Sequence, residues 1–355
     1  MARVVYFLGA GFSQPMGVPT LGEFIQVARD QQQNRDEFSY FGPLLEQIEG
    51  LHKAGSFFKS DLSNIEEVLS LLEADAFVND QSLKERFKKL VCDVIKYHTP
   101  PIQPVPGKLP SNWQGLVFGG REPKWNEFGY FTLALLNLQL FLEPLGNNVK
   151  VSPEPNPATT YSVVTTNYDC VLENVCEYIN GSKLFVTDKD KVGFHVVAAS
   201  RTQVTTQGRV VLAKLHGSVA NGEIIPPTWS KAPVPDFRDP WLQALKALSE
   251  AQEIRMIGYS LPESDSNVRY LLKSAAIRNR DLRRVDVICL DGNREQDRYN
   301  RFANFGGYKF RTLDTWQYLN NFFQRIVNVQ SSPYPSSPSA ALEATHAYFF
   351  KGQMI

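Results

Sequence analysis

R-V-V-Y-F-L-G-A-G-F-S-Q-P-M-G-V-P, residues 3–19, is the stretch that decides how this chain is read. A short apolar run, residues 4–8, stops on Gly9-Ala10-Gly11-Phe12-Ser13. Such a run suits a parallel strand buried on both faces. An open α/β sheet binds its ligands outside the carboxyl ends of such strands, where a glycine turn can offer bare N–H groups to a pyrophosphate. Gly9 and Gly11 lack Cβ and permit close backbone approach. Ala10 shares their turn, and Ser13 adds a hydroxyl.

Five more runs have the same character: residues 161–165, 210–215, 254–258, 285–290 and 308–312. Helical patterns at 171–178, 241–251 and 267–278 lie between them. Alternating strands and helices predict an α/β fold, a doubly wound, mostly parallel, Rossmann-like sheet covered on both faces. Residues 22–157 are too long for one crossover and read as a helical insertion module after the first strand. Ser63-Asn64-Ile65-Glu66 and Ser82-Leu83-Lys84-Glu85 are capping boxes that open amphipathic helices in it. A third helix is expected over 126–142, apolar nearly all round, and used either in the core or in self-association. The Pro-rich stretch 99–124 reads as a long irregular connection. The expected organisation is residues 1–21 and 158–328 for the sheet domain, 22–157 for the insertion, and 329–355 for a Ser/Pro linker and tail.

Four of the strand ends carry polar turns. Thr165-Thr166-Asn167-Tyr168-Asp169 places an amide and a carboxylate two residues apart. They read either as ligand contacts or as an N-cap for the helix that follows. Leu215-His216-Gly217-Ser218 is the one histidine-bearing strand tip beside a Gly/Ser turn, and imidazole is suited to general-base work near neutrality. Gly258-Tyr259-Ser260 offers an N–H and a hydroxyl. Asp291, at the end of another run, stands where a ribose diol is commonly held.

Bulk properties narrow the classes of function. The chain has 355 residues, 43% hydrophobic and 21% charged, with 37 basic against 37 acidic residues. Nothing in this balance calls for nucleic acid or an anionic membrane as partner. Arg278, Arg280, Arg283 and Arg284 cluster, as a solvated helix end or as a local basic patch. The four cysteines form no C-x-x-C pair, which fits reduced thiols and a cytoplasmic protein. The N-terminal apolar run is too short for a signal peptide, and no run reaches membrane-spanning length.

G-A-G-F-S-x-x-x-G-V-P, T-T-N-Y-D, L-H-G-S and G-Y-S-L-P, in that order, resemble the sirtuin-like NAD-binding proteins. The resemblance implies that Gly9, Ala10, Gly11 and Ser13 cradle pyrophosphate and ribose. It implies that Thr166, Asn167 and Asp169 line the nicotinamide-ribose pocket and that His216 is the catalytic base. Gly258 and Ser260 would contact phosphate, and Asp291 the adenine-side ribose. Protein-deacylating sirtuins carry four zinc cysteines after the L-H-G turn, but residues 219–257 contain no cysteine, so no zinc is expected. The D-F-R that follows G-I-P in those enzymes is replaced by Thr20-Leu21-Gly22. These departures resemble the zinc-less bacterial NAD hydrolases of antiphage defence. That branch implies NAD as substrate, nicotinamide and ADP-ribose as products, and assembly as a homo-oligomer or with a partner sensor or ATPase protein. The alternatives are an NAD or ADP-ribose binding subunit without catalysis, and an NAD-dependent deacylase.

Overall fold

The computed structural model describes residues 1–20, 22–50, 67–68, 70–71, 82–99, 125–142, 149–181, 184–185, 187–198, 208–225, 238–292, 294–327 and 336–350. The 63–66 capping box, residues 100–124 and most of the Ser/Pro linker lie outside these.

The chain opens with β1 (Ala2–Leu8) and a single turn, α1 (Ala10–Ser13), followed by α2 (Phe24–Asn34), α3 (Phe41–Gly50), α4 (Ser82–His98) and α5 (Trp125–Leu135). A hairpin of β2 (Leu138–Leu142) and β3 (Val149–Pro153) leads to β4 (Thr159–Thr165) and α6 (Val171–Gly181). Next come β5 (Gly193–Val197), β6 (Gly208–Lys214) and a two-residue hairpin, β7 (Gly217–Ser218) with β8 (Glu223–Ile224). The rest is α7 (Arg238–Glu250), β9 (Glu253–Ile257), α8 (Ser266–Arg278), β10 (Arg284–Cys289), α9 (Glu295–Phe302), β11 (Tyr308–Thr312), α10 (Thr315–Val327) and α11 (Pro338–Phe350).

Seven strands form one sheet in the order β11-β10-β9-β1-β4-β6-β5. Every pairing in it is parallel. All their carboxyl ends therefore point the same way. β1 is central, with β4 on one side and β9 on the other, so the winding direction reverses around it, as at the ligand-binding crevice of open α/β sheets. Side chains alternate between the faces at the strand period. Val4, Tyr6 and Leu8 join the core beneath α2–α6, α10 and α11. Val5 and Phe7 join the core beneath α7, α8 and α9. Burial on both faces is why these strands read as unbroken apolar runs.

The predicted helix over 126–142 is corrected. It ends at Leu135, Asn137 takes a left-handed backbone (φ 51°), and residues 138–142 form β2. In Leu138-Gln139-Leu140-Phe141-Leu142 the apolar and partly exposed positions alternate: Leu138 and Leu140 are buried, whereas Gln139 and Phe141 are partly exposed. That is a strand period, hidden by the apolar helix before it. Of the two uses expected for this segment, the core is the one found, since Phe128, Tyr130, Phe131, Leu133, Ala134 and Leu135 all lie inside the chain's own core. The tail docks on this domain. α11 packs on α5, α10 and β2 of the same chain, and Ser336 exchanges backbone hydrogen bonds with Leu140. The apolar face of α4 is buried as its sequence predicts, through Phe87, Leu90, Val91 and Ile95.

Candidate active site

The turns after β1, β4, β6, β9, β10 and β11 surround a cleft of about 840 Å³. This is the size of a small-molecule or dinucleotide site. Ala10, Gly11, Thr166, Asn167, Asp169, His216, Gly258 and Ser260 line it, and Phe24, Val91 and Ile95 of α2 and α4 close one wall. Gly9, Ser13 and Asp291 do not line it.

The β1 turn departs from its sequence reading. The Gly9 N–H donates to the Ile257 carbonyl at 3.0 Å, and the Gly11 N–H to the Gly258 carbonyl at 2.9 Å. Both donors are therefore spent inside the protein and are not bare. A Cβ on Gly9 would stand 2.5 Å from the Tyr259 Cα. Gly258 has φ +64°, and a Cβ there would meet the Phe12 nitrogen at 2.2 Å. These glycines let two turns of the sheet edge press together backbone to backbone. Ser13 lies behind the cleft wall, 1% exposed, with its Oγ accepting from Asn167.

The β4 tip is pinned to β1. The Thr165 hydroxyl donates to the Leu8 carbonyl at 2.9 Å and accepts from the Asn167 N–H at 3.0 Å. The Thr166 N–H donates to the same Leu8 carbonyl at 3.2 Å. Asn167 Nδ2 donates to the Gly9 carbonyl at 2.9 Å and to Ser13 Oγ at 3.1 Å. Spending both amide hydrogens this way fixes the amide and leaves Oδ1 as its acceptor face. Asp169 is a helix cap: its Oδ1 accepts the Val171 N–H at 3.0 Å, at the start of α6. Lys214, 1% exposed, bonds the Asp169 carbonyl and pairs with Glu173 Oε1 at 2.6 Å. Burial by itself would lower the Lys214 ammonium, but the Glu173 carboxylate beside it holds it above its ordinary value. Lys214 thus joins the T-T-N-Y-D turn to the strand that delivers His216.

His216 is held by its backbone. Its carbonyl accepts the Ile225 N–H at 2.8 Å, and the preceding Leu215 carbonyl accepts Trp241 Nε1 at 3.0 Å. Its ring is 4% exposed, with Tyr168 tilted over it at 6.1 Å between centroids. Among the described residues Nε2 is buried with no hydrogen-bond partner. Asp265 Oδ1 stands 3.6 Å from it. An unpaired buried nitrogen beside a buried carboxylate costs free energy in the empty protein, and the residue that carries it lines the cleft.

Asp291 stands outside the cleft lining, between Leu290 and Gly292, which are in it. It is exposed, and its Oδ1 accepts the Gln296 N–H at 3.2 Å, beside the start of α9. Glu295 and Arg298 line the cleft there instead, paired at 2.8 Å, with Arg298 Nε donating to the Ser260 carbonyl at 3.2 Å. Cys289 also lines the cleft, but burial pushes its thiol up to about 12, so it is no nucleophile at neutral pH. Among the described residues no group of three or more His, Cys, Asp and Glu side chains is placed to hold a metal. No helix among them is long and apolar enough to cross a membrane.

The turns after β4, β6, β9 and β10 fall in a stretch that matches a family model. Residues 161–311 match the model of the SIR2-like domain. The SIR2-like stretch runs from β4 into β11 and includes Asn167, His216, Gly258 and Asp265. No curated protein matches the chain. Solved Sir2 structures align with the chain at low identity. A structure described as the basis for the mechanism and regulation of Sir2 enzymes aligns at 14% identity and a TM-score of 0.36, over 93% of this chain and 94% of that one. A Sir2 with a p53 peptide and NAD+ aligns at 13% identity and 0.36, over 93% and 94%.

Proposed function

We propose that the cleft binds NAD and hydrolyses its nicotinamide–ribose bond, giving nicotinamide and ADP-ribose. The observation that carries this reading is the pairing, in one cleft at the sheet's carboxyl edge, of an amide locked with Oδ1 as acceptor and a buried imidazole with an unsatisfied nitrogen. A site that only bound a nucleotide would require neither. The bond from ribose C1′ to the pyridinium nitrogen breaks, its electron pair neutralises the departing nicotinamide, and no general acid is required. C1′ gains oxocarbenium character, as in glycoside hydrolysis. Asn167 Oδ1 accepts a hydrogen bond from the attacking water. The water oxygen bonds to C1′, and His216 takes the proton. Asp169 lends the wall a negative charge that favours the cationic ribose. The Gly11–Gly258 edge and Ser260 lie beside the rest of the dinucleotide, whose binding holds the reacting ring in place. In this reading NAD needs no zinc, and the protein acts as a regulated effector of bacterial antiphage defence, working as a homo-oligomer or with a partner sensor or ATPase protein. The motif order and the missing zinc cysteines support it.

The test is incubation of the full chain with NAD, with nicotinamide and ADP-ribose followed by chromatography. His216→Ala and Asn167→Ala should each lower turnover by about 10²- to 10⁴-fold. Turnover unchanged in both variants would overturn the assignment. NAD bound by calorimetry with no turnover in any state of assembly would leave a binding subunit as the better reading.

A further inference from the structure

We propose that Asp265 is the positioning residue of His216: its carboxylate holds the imidazole so that one ring nitrogen is a fixed donor and the other is the free base. The inference rests on reading His216 as the base of the cleft. Asp265 belongs to none of the strand-tip motifs and follows the G-Y-S turn by five residues. The chain brings it back through two left-handed residues, Gly258 at φ 64° and Leu261 at φ 52°. For a buried leucine that backbone is strained by about 1 kcal/mol or more, and such strain is retained where the surroundings demand it.

Asp265 stands at the N-cap position of α8, where aspartate ordinarily caps its own helix. It makes no side-chain cap bond there. Its Oδ2 accepts the Tyr259 hydroxyl at 2.8 Å, and its Oδ1 faces His216 Nε2 at 3.6 Å. Asp265 is 1% exposed and His216 4% exposed, so the pair is shielded from bulk water. Tyr259 is itself fixed: its ring packs on Phe7 at 4.9 Å between centroids, and its carbonyl accepts the Tyr299 hydroxyl at 2.7 Å. The order Tyr259, Asp265, His216 is thus a chain of buried groups running from the core to the cleft. Catalytic hydrogen bonds are often long in an unliganded site and tighten when substrate is bound, and a gap of 3.6 Å closes with a small rotation of either side chain. A carboxylate on Nε2 selects the tautomer with its proton there, leaves Nδ1 to receive the proton from water, and stabilises the imidazolium that results.

The experiment pairs a spectroscopic readout with a kinetic one on the full chain. With histidine labelled in its ring nitrogens, the His216 signals, identified by their loss in His216→Gln, should report Nε2 protonated and Nδ1 unprotonated. Asp265→Asn should mix the tautomers and lower kcat by about 10²-fold with KM for NAD changed less than about threefold. Asp265→Glu should restore the single tautomer and part of kcat, and Tyr259→Phe should weaken both readouts less. An unmixed tautomer in folded Asp265→Asn, or a loss confined to KM, would overturn the proposal. If Asp265→Asn does not fold, Tyr259→Phe decides in the same way, through mixed or unmixed tautomers. The tautomer is read without turnover. A fixed Nε2 proton lost in Asp265→Asn, in a protein that leaves NAD intact in every state of assembly, would uphold the pairing and refute the hydrolase.

Discussion

Arg255 and His216 are buried to nearly the same degree, 1% and 4% exposed, yet the protein treats them in opposite ways. Arg255, on β9, is surrounded. Its guanidinium donates to Glu343 at 2.7 and 2.6 Å, to Glu253 at 2.9 Å and to the Tyr6 hydroxyl at 3.0 Å. Glu343 also accepts the Tyr161 hydroxyl at 2.8 Å. Nearby, His346 joins Asp286 at 2.9 Å and the Tyr318 hydroxyl at 3.2 Å. Glu343 and His346 both come from α11, so this network fastens the C-terminal helix to the sheet. His216, on the carboxyl edge, has a nitrogen with no hydrogen-bond partner and a cleft beside it. Where a buried charge is answered by its own chain, the region is structural. Among the described residues Arg255 Nε and Asp286 Oδ1 are unpartnered there too, so an orphaned atom alone does not mark a site; His216 differs in lining a cleft.

Three substitutions press on this difference. Arg255→Met removes one side of a buried ionic cluster and leaves Glu343 uncompensated, so it should cost about 3–5 kcal/mol of unfolding free energy. Urea denaturation measures it, and a loss below 1 kcal/mol would mean that the network is not what holds α11. Gly258→Ala combines a left-handed backbone with a methyl group 2.2 Å from the Phe12 nitrogen. It should cost about 3 kcal/mol and also weaken NAD binding, because both turns frame the cleft. A stable variant with unchanged affinity would show that the close approach is dispensable. His216→Leu should have the smallest effect on stability, within about 1 kcal/mol of the parent, since Nε2 makes no hydrogen bond in the empty protein and Asp265 keeps its bond from Tyr259. If it destabilised the protein as much as Arg255→Met, His216 would be a structural residue and the contrast would collapse.

Legibility in the sequence followed the range of the interaction. The six strands expected from the sequence are all present. Five are largely buried and carry the apolar composition of a covered parallel strand, whereas β11 is an exposed edge strand of mixed composition. The edge strand β5 was not read, as it is short and broken by His195, and β7 and β8 are only two residues each. The polar turns at the strand tips were read as residue types, and the cleft collects most of them. Their roles were less legible. Asp169 caps α6. The Gly9 and Gly11 N–H groups bond across to the β9 end, and Asp291 turns out of the cleft. Arg255 and Glu343 are 88 residues apart, and nothing in either neighbourhood announces the other.

The sequence by itself determined six of the seven strands of the sheet, their common direction and the list of polar residues at their ends. These depend on local periodicity and on the short-range preferences of glycine, serine and asparagine, which act within a few residues. Tertiary structure alone decided which of those polar groups are spent on the protein and which remain available. It bent the G-Y-S turn so that Asp265 returns to His216, and it pressed the β1 and β9 turns together until the Gly9 and Gly11 N–H groups bonded carbonyls at the β9 end. Those outcomes depend on backbone contacts between distant segments, which only close packing of the finished core can specify.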